Sequence, residues 1–245
     1  FCFLATLGSI GIALLISFFS KNKSEKGEFI QASYRSSAAV LGIAFVNNIY
    51  GEATMAALMI VGTVPIYNIF AVICLTVISP ERDTSNKKEL VKRTVREAVT
   101  NPIILGIAAG IIWSLLEIPQ PFIMSRSISY LGNMATPLSL TALGASFKFS
   151  DAKEKIRTAA SISFVKLILF CVVFLPPAIW LGFRSEKLIA IFVMLGSATT
   201  GSCFVMAKSM GHNGTITACS VMLTTLLSSF TLTAWLFVLK TLNLI

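Results

Sequence analysis

The sequence predicts an all-α polytopic membrane protein built from two inverted five-helix repeats, ten helices when intact and about eight in this chain. Three observations carry that expectation. Hydrophobic residues make up 55% of the chain and charged residues 13%, about half the charged share of an ordinary soluble domain, and the mean hydropathy is +0.81. Apolar runs of about 15 to 27 residues recur from end to end, without the roughly ten-residue alternating segments of a β-barrel. Two stretches also echo each other: Gly42-Ile43-Ala44-Phe45-Val46 and Gly201-Ser202-Cys203-Phe204-Val205. Both read Gly-x-x-Phe-Val inside apolar segments, and each is followed nine or ten residues later by another glycine, Gly51 and Gly211.

Eight hydrophobic spans follow in order. The first, 1–19, has no charged n-region before it and no small-residue cleavage site after it. It reads as a transmembrane helix whose N-terminal context is absent, not as a signal peptide. The second, 34–50, is barely long enough to cross and carries Ser36, Ser37, Gly42, Asn47 and Asn48. The third, 53–79, holds Pro65 and Asn68, a kink and a polar side chain that either shape the helix or line a cavity. The segment 80–98, with Lys87, Lys88, Lys92, Arg93 and Arg96, reads as a cytoplasmic linker that turns amphipathic and helical towards its end. The fourth span, 99–117, opens on Asn101-Pro102, with proline in the first turn, where its missing N–H is harmless. The fifth, 127–147, carries Asn133 and Pro137, and the sixth, 158–182, carries Lys166. The seventh, 187–208, contains the small-residue stretch Gly196–Cys203, and the eighth is 215–242.

Basic residues set the orientation. Alternate loops hold fifteen of them: Lys21, Lys23, Lys26, Arg35, Arg82, Lys87, Lys88, Lys92, Arg93, Arg96, Lys148, Lys153, Lys155, Arg157 and Lys208. The opposite loops and the C-terminus hold four, Arg126, Arg184, Lys187 and Lys240. The positive-inside rule then puts the first set in the cytoplasm of a plasma (inner) membrane and the C-terminus outside. The net charge of +9 is thus a topology signal, which argues against nucleic-acid binding. The echoing sites lie five spans apart, so the two copies have opposite orientations, as in an inverted repeat. The second copy begins near Val99, about 100 residues before Gly201. By the same offset the first would begin about 60 residues before Phe1, room for two further spans. Residues 1–79 are then the remainder of the first repeat (helices 3–5), 80–98 the linker, and 99–245 the second repeat (helices 6–10).

The polar residues inside the spans are the candidates for chemistry. The stretch Gly196–Cys203 suits either close helix packing through small residues or a discontinuous helix whose hydroxyls and freed backbone groups face a polar cavity. Asn47 and Asn48 are costly in a bilayer unless paired or wet, and they suit either that cavity or the outer interface beside Tyr50. Half-helix N-termini carry free N–H groups and a positive dipole end. Two of them converging would hold a small organic anion without a buried Arg or Lys. Lys166 is either a coupling or other functional residue or a structural one that snorkels to the cytoplasmic end. No Asp or Glu falls inside a span, with Glu52 and Glu117 at span ends. The five cysteines show no CxxC spacing and read as small core residues; no metal, cofactor or catalytic residue is expected. His212, in the turn Gly211-His212-Asn213-Gly214, reads as structural or solvated, and Asn213-Gly214-Thr215 is a glycosylation acceptor on the wrong side of the membrane.

Several segments together carry a resemblance. They are Asn101-Pro102-Ile-Ile-Leu-Gly106, the run Leu131-Gly132-Asn133-Met134-Ala135-Thr136-Pro137 continuing to Ala145, the Lys166-Leu167 span ending in Pro176, and Phe204-Val205-Met206-Ala207-Lys208. Gly42-Ile43-Ala44-Phe45-Val46-Asn47-Asn48-Ile49-Tyr50-Gly51 is similar to a Gly-Ile-Pro-Leu-Leu…Tyr-Gly crossover motif. In this order and spacing, and over nearly the whole chain, they resemble the auxin efflux carrier family of bacterial malate-permease-like proteins and PIN-like plant carriers. The resemblance implies ten helices in two inverted repeats, with broken fourth and ninth helices that cross as in sodium/proton antiporter- and bile-acid-symporter-like folds. It also implies elevator-type alternating access and transport of carboxylate-bearing small molecules. The chain departs from the family at the breaks, where Ala44, Ala198 and Cys203 stand in place of the usual prolines.

The expected function is therefore secondary active transport of small organic anions, not enzymatic. The substrate site would be lined by Gly42, Ala44, Asn47 and Asn48 from one crossover, by Thr199, Thr200, Gly201 and Ser202 from the other, and by Asn133 and Pro137 beside them. The partners would be the anion, the lipid bilayer, a proton or sodium ion for coupling, and a second copy in a homodimer. The rival reading is a non-transporting membrane receptor or scaffold. A membrane-embedded enzyme would need a convergent nucleophile and base, and neither His-Glu-x-x-His nor Gly-x-Ser-x-Gly is present.

Overall fold

A computed structural model describes residues 1–18, 25–78, 92, 94–96, 99–147 and 149–245, and no strand occurs among them. The elements are α1 (Cys2–Ser17), α2 (Lys26–Tyr34), a π-turn (Ala38–Gly42), α3 (Ile43–Tyr50), α4 (Thr54–Val77), α5 (Pro102–Leu115), α6 (Phe122–Ser146) and α7 (Phe149–Phe164). After a second π-turn (Val165–Leu169) come α8 (Phe170–Trp180), α9 (Ser185–Gly196), α10 (Ser202–Ser209) and α11 (Thr215–Thr241). Four segments are long and apolar enough to cross a membrane, namely Lys26–Tyr50, Thr54–Val77, Lys153–Trp180 and Thr215–Thr241, with Cys2–Ser17 and Pro102–Leu115 shorter but apolar. The chain is an all-α polytopic membrane protein. The expected linker 80–98 lies largely outside the described residues.

Local chemistry explains where the helices start and stop. Asn101 caps α5, its Oδ1 accepting the Ile103 N–H at 3.0 Å ahead of Pro102 in the first turn. Pro65, Pro137 and the pair Pro176–Pro177 sit inside α4, α6 and α8, where neighbouring helices hold the chain in its helical path. Gly51 ends α3 with φ +80°, a left-handed turn that returns its N–H to the Asn47 carbonyl at 2.9 Å.

The core is built round α9, whose residues Leu188 to Gly196 are all buried. Packed into the same core are α1, the α2–α3 segment, α4, the Val165–Leu169 turn with α8, and α11. By contrast α5 has no buried residue and α6 only Leu143. These two helices touch the core along narrow seams: Ile103 and Ile104 against Ala71, Val72 and Leu75, and Leu143 against Phe204, Ala218 and Val221. At Gly196 an added Cβ would lie 2.9 Å from Cys171 Sγ and 3.2 Å from a Phe192 ring carbon. Gly196→Val is therefore expected to destabilise the protein by about 1–3 kcal/mol through overpacking, read as a lower melting midpoint in detergent.

Three sequence readings need correction. The second span begins at Lys26, not at 34, because Glu28, Gln31 and Ser33 are buried in α2 beside Phe29, Ile30 and Ala32. Polar groups satisfied by neighbouring helices hide a span from a hydropathy window. That span therefore carries a carboxylate, Glu28. Arg35, counted among the loop cations, is only 3% exposed and sits inside the same segment, so the basic residues divide fourteen to four. His212, read as structural or solvated, is buried, its Nε2 3.0 Å from the Leu75 carbonyl.

Candidate functional site

Two helical segments, one from Lys26 to Tyr50 and one from Ser185 to Ser209, are broken, and the breaks meet. The first helix stops at Tyr34: Arg35 is extended (φ −69°, ψ 131°), and the chain passes Ser36 and Ser37 before the π-turn resumes the helical path. The second stops at Gly196: Ser197 is extended (φ −75°, ψ 158°), Ala198–Thr200 have no regular structure, and Gly201 turns into α10. Serine and threonine favour such interruptions because their hydroxyls compete for backbone partners. The segments are joined by the Ser37 N–H on the Ala198 carbonyl (2.8 Å), Gln31 Nε2 on the Cys203 carbonyl (3.1 Å) and the Thr199 hydroxyl on the Ala32 carbonyl (2.8 Å). The Thr199 N–H in turn donates to Thr224 Oγ1 of α11 at 3.1 Å.

Beside the crossing lies a cavity of about 600 Å³. The breaks contribute Ser37, Ala198, Thr199, Thr200, Gly201 and Ser202; Leu41 and Phe45 follow from the first segment, Ala135, Thr136, Ser139 and Leu140 from α6, and Thr225, Ser228 and Ser229 from α11. Its walls are mostly apolar with a few convergent hydroxyls, the usual make-up of a small-molecule site. Gly201 is where α6 closes on the break, since a Cβ there would meet Ser139 Oγ at 2.8 Å.

Two cations stand behind the crossing. Arg35 donates through Nη2 to Asn68 Oδ1 (2.9 Å) and Ser202 Oγ (3.0 Å) and through Nη1 to Met206 Sδ (3.3 Å), while its Nε is buried without an acceptor. Lys166, 1% exposed, donates to the Tyr34 carbonyl at 3.1 Å and reaches the Met194 carbonyl at 3.5 Å. Among the described residues neither forms an ion pair. Lys166 therefore points inward and does not snorkel. Arg35, charged whatever its surroundings, has only neutral partners and leaves a positive field at the crossing, to which Lys166 adds in its ammonium form, because such partners spread a charge without cancelling it.

The structure brings Thr199, Thr200, Gly201 and Ser202 together at the cavity. Gly42 is buried in the π-turn against α4, where a Cβ would come within 3.1 Å of Met59 Cε. Ala44, Asn47 and Asn48 lie exposed on α3, outside the cavity lining, and Asn133 and Pro137 are exposed on α6 next to lining residues. Sequence reasoning marked Ser37 only as part of a polar second span and missed Arg35, Ser139, Thr225, Ser228 and Ser229. Arg35 carried one signal, its place between a tyrosine and two serines at the start of a span barely long enough to cross. The hydroxyls at the break divide by role. Thr199→Val removes one buried hydrogen bond, from the hydroxyl to the Ala32 carbonyl, and is expected to lower stability by about 1–2 kcal/mol. Thr200, whose hydroxyl is 3.3 Å from Ser202 Oγ at the cavity wall, is expected on substitution by valine to leave the melting midpoint unchanged and to weaken ligand binding about tenfold.

The model of the family described as "Membrane transport protein" matches residues 1–236. A curated relative from Rhizobium meliloti (strain 1021), named "Putative malonate transporter", is 29% identical over 150 residues, 59% of this chain and 46% of the relative. The chain thus spans about half the length of the curated relative it matches. The family match covers nearly the whole chain, which belongs to the membrane transport proteins of the auxin efflux carrier type.

Proposed function

We propose, with that membership as the premise, that the protein is a secondary active transporter moving small organic anions, dicarboxylates of malonate size among them, by alternating access. The observation that carries this reading is the pair of buried cations behind a hydroxyl-lined cavity at the crossing of two broken helices. A dicarboxylate in the cavity would take hydrogen bonds from Thr200 and Ser202, and the field of Arg35 and Lys166 would offset the loss of its hydration. This revises the expectation of an anion site without buried cations. The relative's name points to the same ligand class.

The contrast between a packed core and two narrowly seated helices supports an elevator-like division. The core with both breaks would move against α5 and α6, and the cavity lies on that seam. On this reading residues 1–79 and 99–245 are the two inverted repeats, in a plasma membrane with the C-terminus outside, and the activity is transport and not catalysis. Uptake of labelled malonate and other small dicarboxylates into proteoliposomes tests the proposal. Saturable uptake, competed by unlabelled dicarboxylate and absent from protein-free liposomes, is the expected result. No flux with any small carboxylate, together with an unchanged melting midpoint on adding them, would favour the receptor or scaffold reading.

A further inference from the structure

The partners of Lys166 are the ends of both interrupted helices. Tyr34, whose carbonyl accepts at 3.1 Å, is the last residue of α2. Met194, at 3.5 Å, is two residues from the end of α9. Both are C-terminal ends, where unpaired carbonyls and the helix dipole concentrate negative potential. The π-turn Val165–Leu169 supplies the approach, and the Phe170 ring lies under the ammonium with its centroid 5.9 Å away. No carboxylate of the described residues pairs with it. Carbonyls at unwound half-helix ends are the ligands with which transporters bind a coupling cation at the bilayer midplane. Here the Lys166 side chain meets carbonyls of that kind.

We propose that Lys166 is a tethered monovalent cation that binds the C-terminal ends of both broken helices in place of an alkali ion, so that they move as one unit and anion translocation needs no sodium. An ammonium with three donors satisfies orphan carbonyls as a bound ion would, but it cannot dissociate. The inference rests on the transport reading for its functional half alone; the cation position is a property of the fold.

The test pairs two readouts in sodium, potassium and choline media of equal ionic strength: malonate counterflow in proteoliposomes and thermal melting in detergent. Wild-type protein is expected to give the same counterflow rate and the same melting midpoint in all three. Lys166→Ala is expected to melt lower and to lose about tenfold or more of the counterflow, and sodium or methylammonium, to which the wild type is indifferent, should restore part of both. A wild type that requires sodium overturns the proposal, and that arm stands even where Lys166→Ala does not fold. So does a Lys166→Ala protein that matches the wild type, or one whose loss no small cation repairs. Absence of malonate flux in the wild type would count against the transport reading, while the melting series still decides the cation position.

Discussion

Arg35→Leu is expected to reduce malonate uptake about tenfold to a hundredfold, read as the initial rate in proteoliposomes. The guanidinium reaches from the first break to α4 through Asn68, and to the first residue of α10 through Ser202. Leucine leaves Asn68 Oδ1 buried without this donor, while Ser202 keeps Thr200 as a partner, and it removes a charge that makes the crossing attractive to an anion. The stability loss is the smaller part, about 2 kcal/mol for the unsatisfied acceptor, because removing the cation also removes its own burial penalty. Arg35→Lys separates charge from geometry. A lysine keeps the charge but is a point donor on a flexible stem, and it does not span Asn68 and Ser202 together as the fork does. Partial uptake in the lysine variant, well below wild type, is the expected outcome. Full activity in the leucine variant would remove Arg35 from the mechanism.

The largest stability effect is expected at Glu28. Its Oε1 accepts the Gly214 N–H at 2.8 Å, and its Oε2 accepts both the N–H (3.2 Å) and the hydroxyl (2.9 Å) of Thr217. One buried carboxylate in α2 thus caps the positive end of the 27-residue helix α11. Glu28→Gln keeps the shape but replaces one acceptor by a donor facing N–H groups, at a cost of about 2–4 kcal/mol. A drop of several degrees in the melting midpoint checks this. An unchanged midpoint would mean that the cap contributes little to stability.

Both residues show which parts of the molecule were legible in the sequence. The fold class was legible because bilayer thickness writes itself into run length, and the family resemblance rested on segments in order from Gly42 to Lys208. The second break was legible as well, since Gly196 to Cys203 is a dense run of small and hydroxyl residues. The first break was misplaced by several residues. Gly42 and Ala44 attract attention by matching the echo, yet the helix stops at Arg35–Ser37 and passes Gly42 in a wide turn. Glu28 and Arg35 were hidden for one reason: their partners lie 33 to 189 positions away in sequence, and no local window contains such pairs, whereas Lys166 stood out in its apolar span. The hydroxyls that α6 and α11 turn to the cavity were likewise indistinguishable from ordinary polar residues on helical faces until the helices were placed side by side.

Malonate counterflow tests the central claim most directly, because exchange of labelled for unlabelled substrate needs no knowledge of a coupling ion. Ala135 lines the cavity from the exposed face of α6, so Ala135→Trp fills the proposed route without removing a hydrogen bond. Wild-type proteoliposomes should accumulate label against unlabelled internal malonate, and Ala135→Trp should lose about tenfold or more of that rate at an unchanged melting midpoint. Counterflow in Ala135→Trp equal to wild type would contradict the account, because the anion would then be crossing somewhere else.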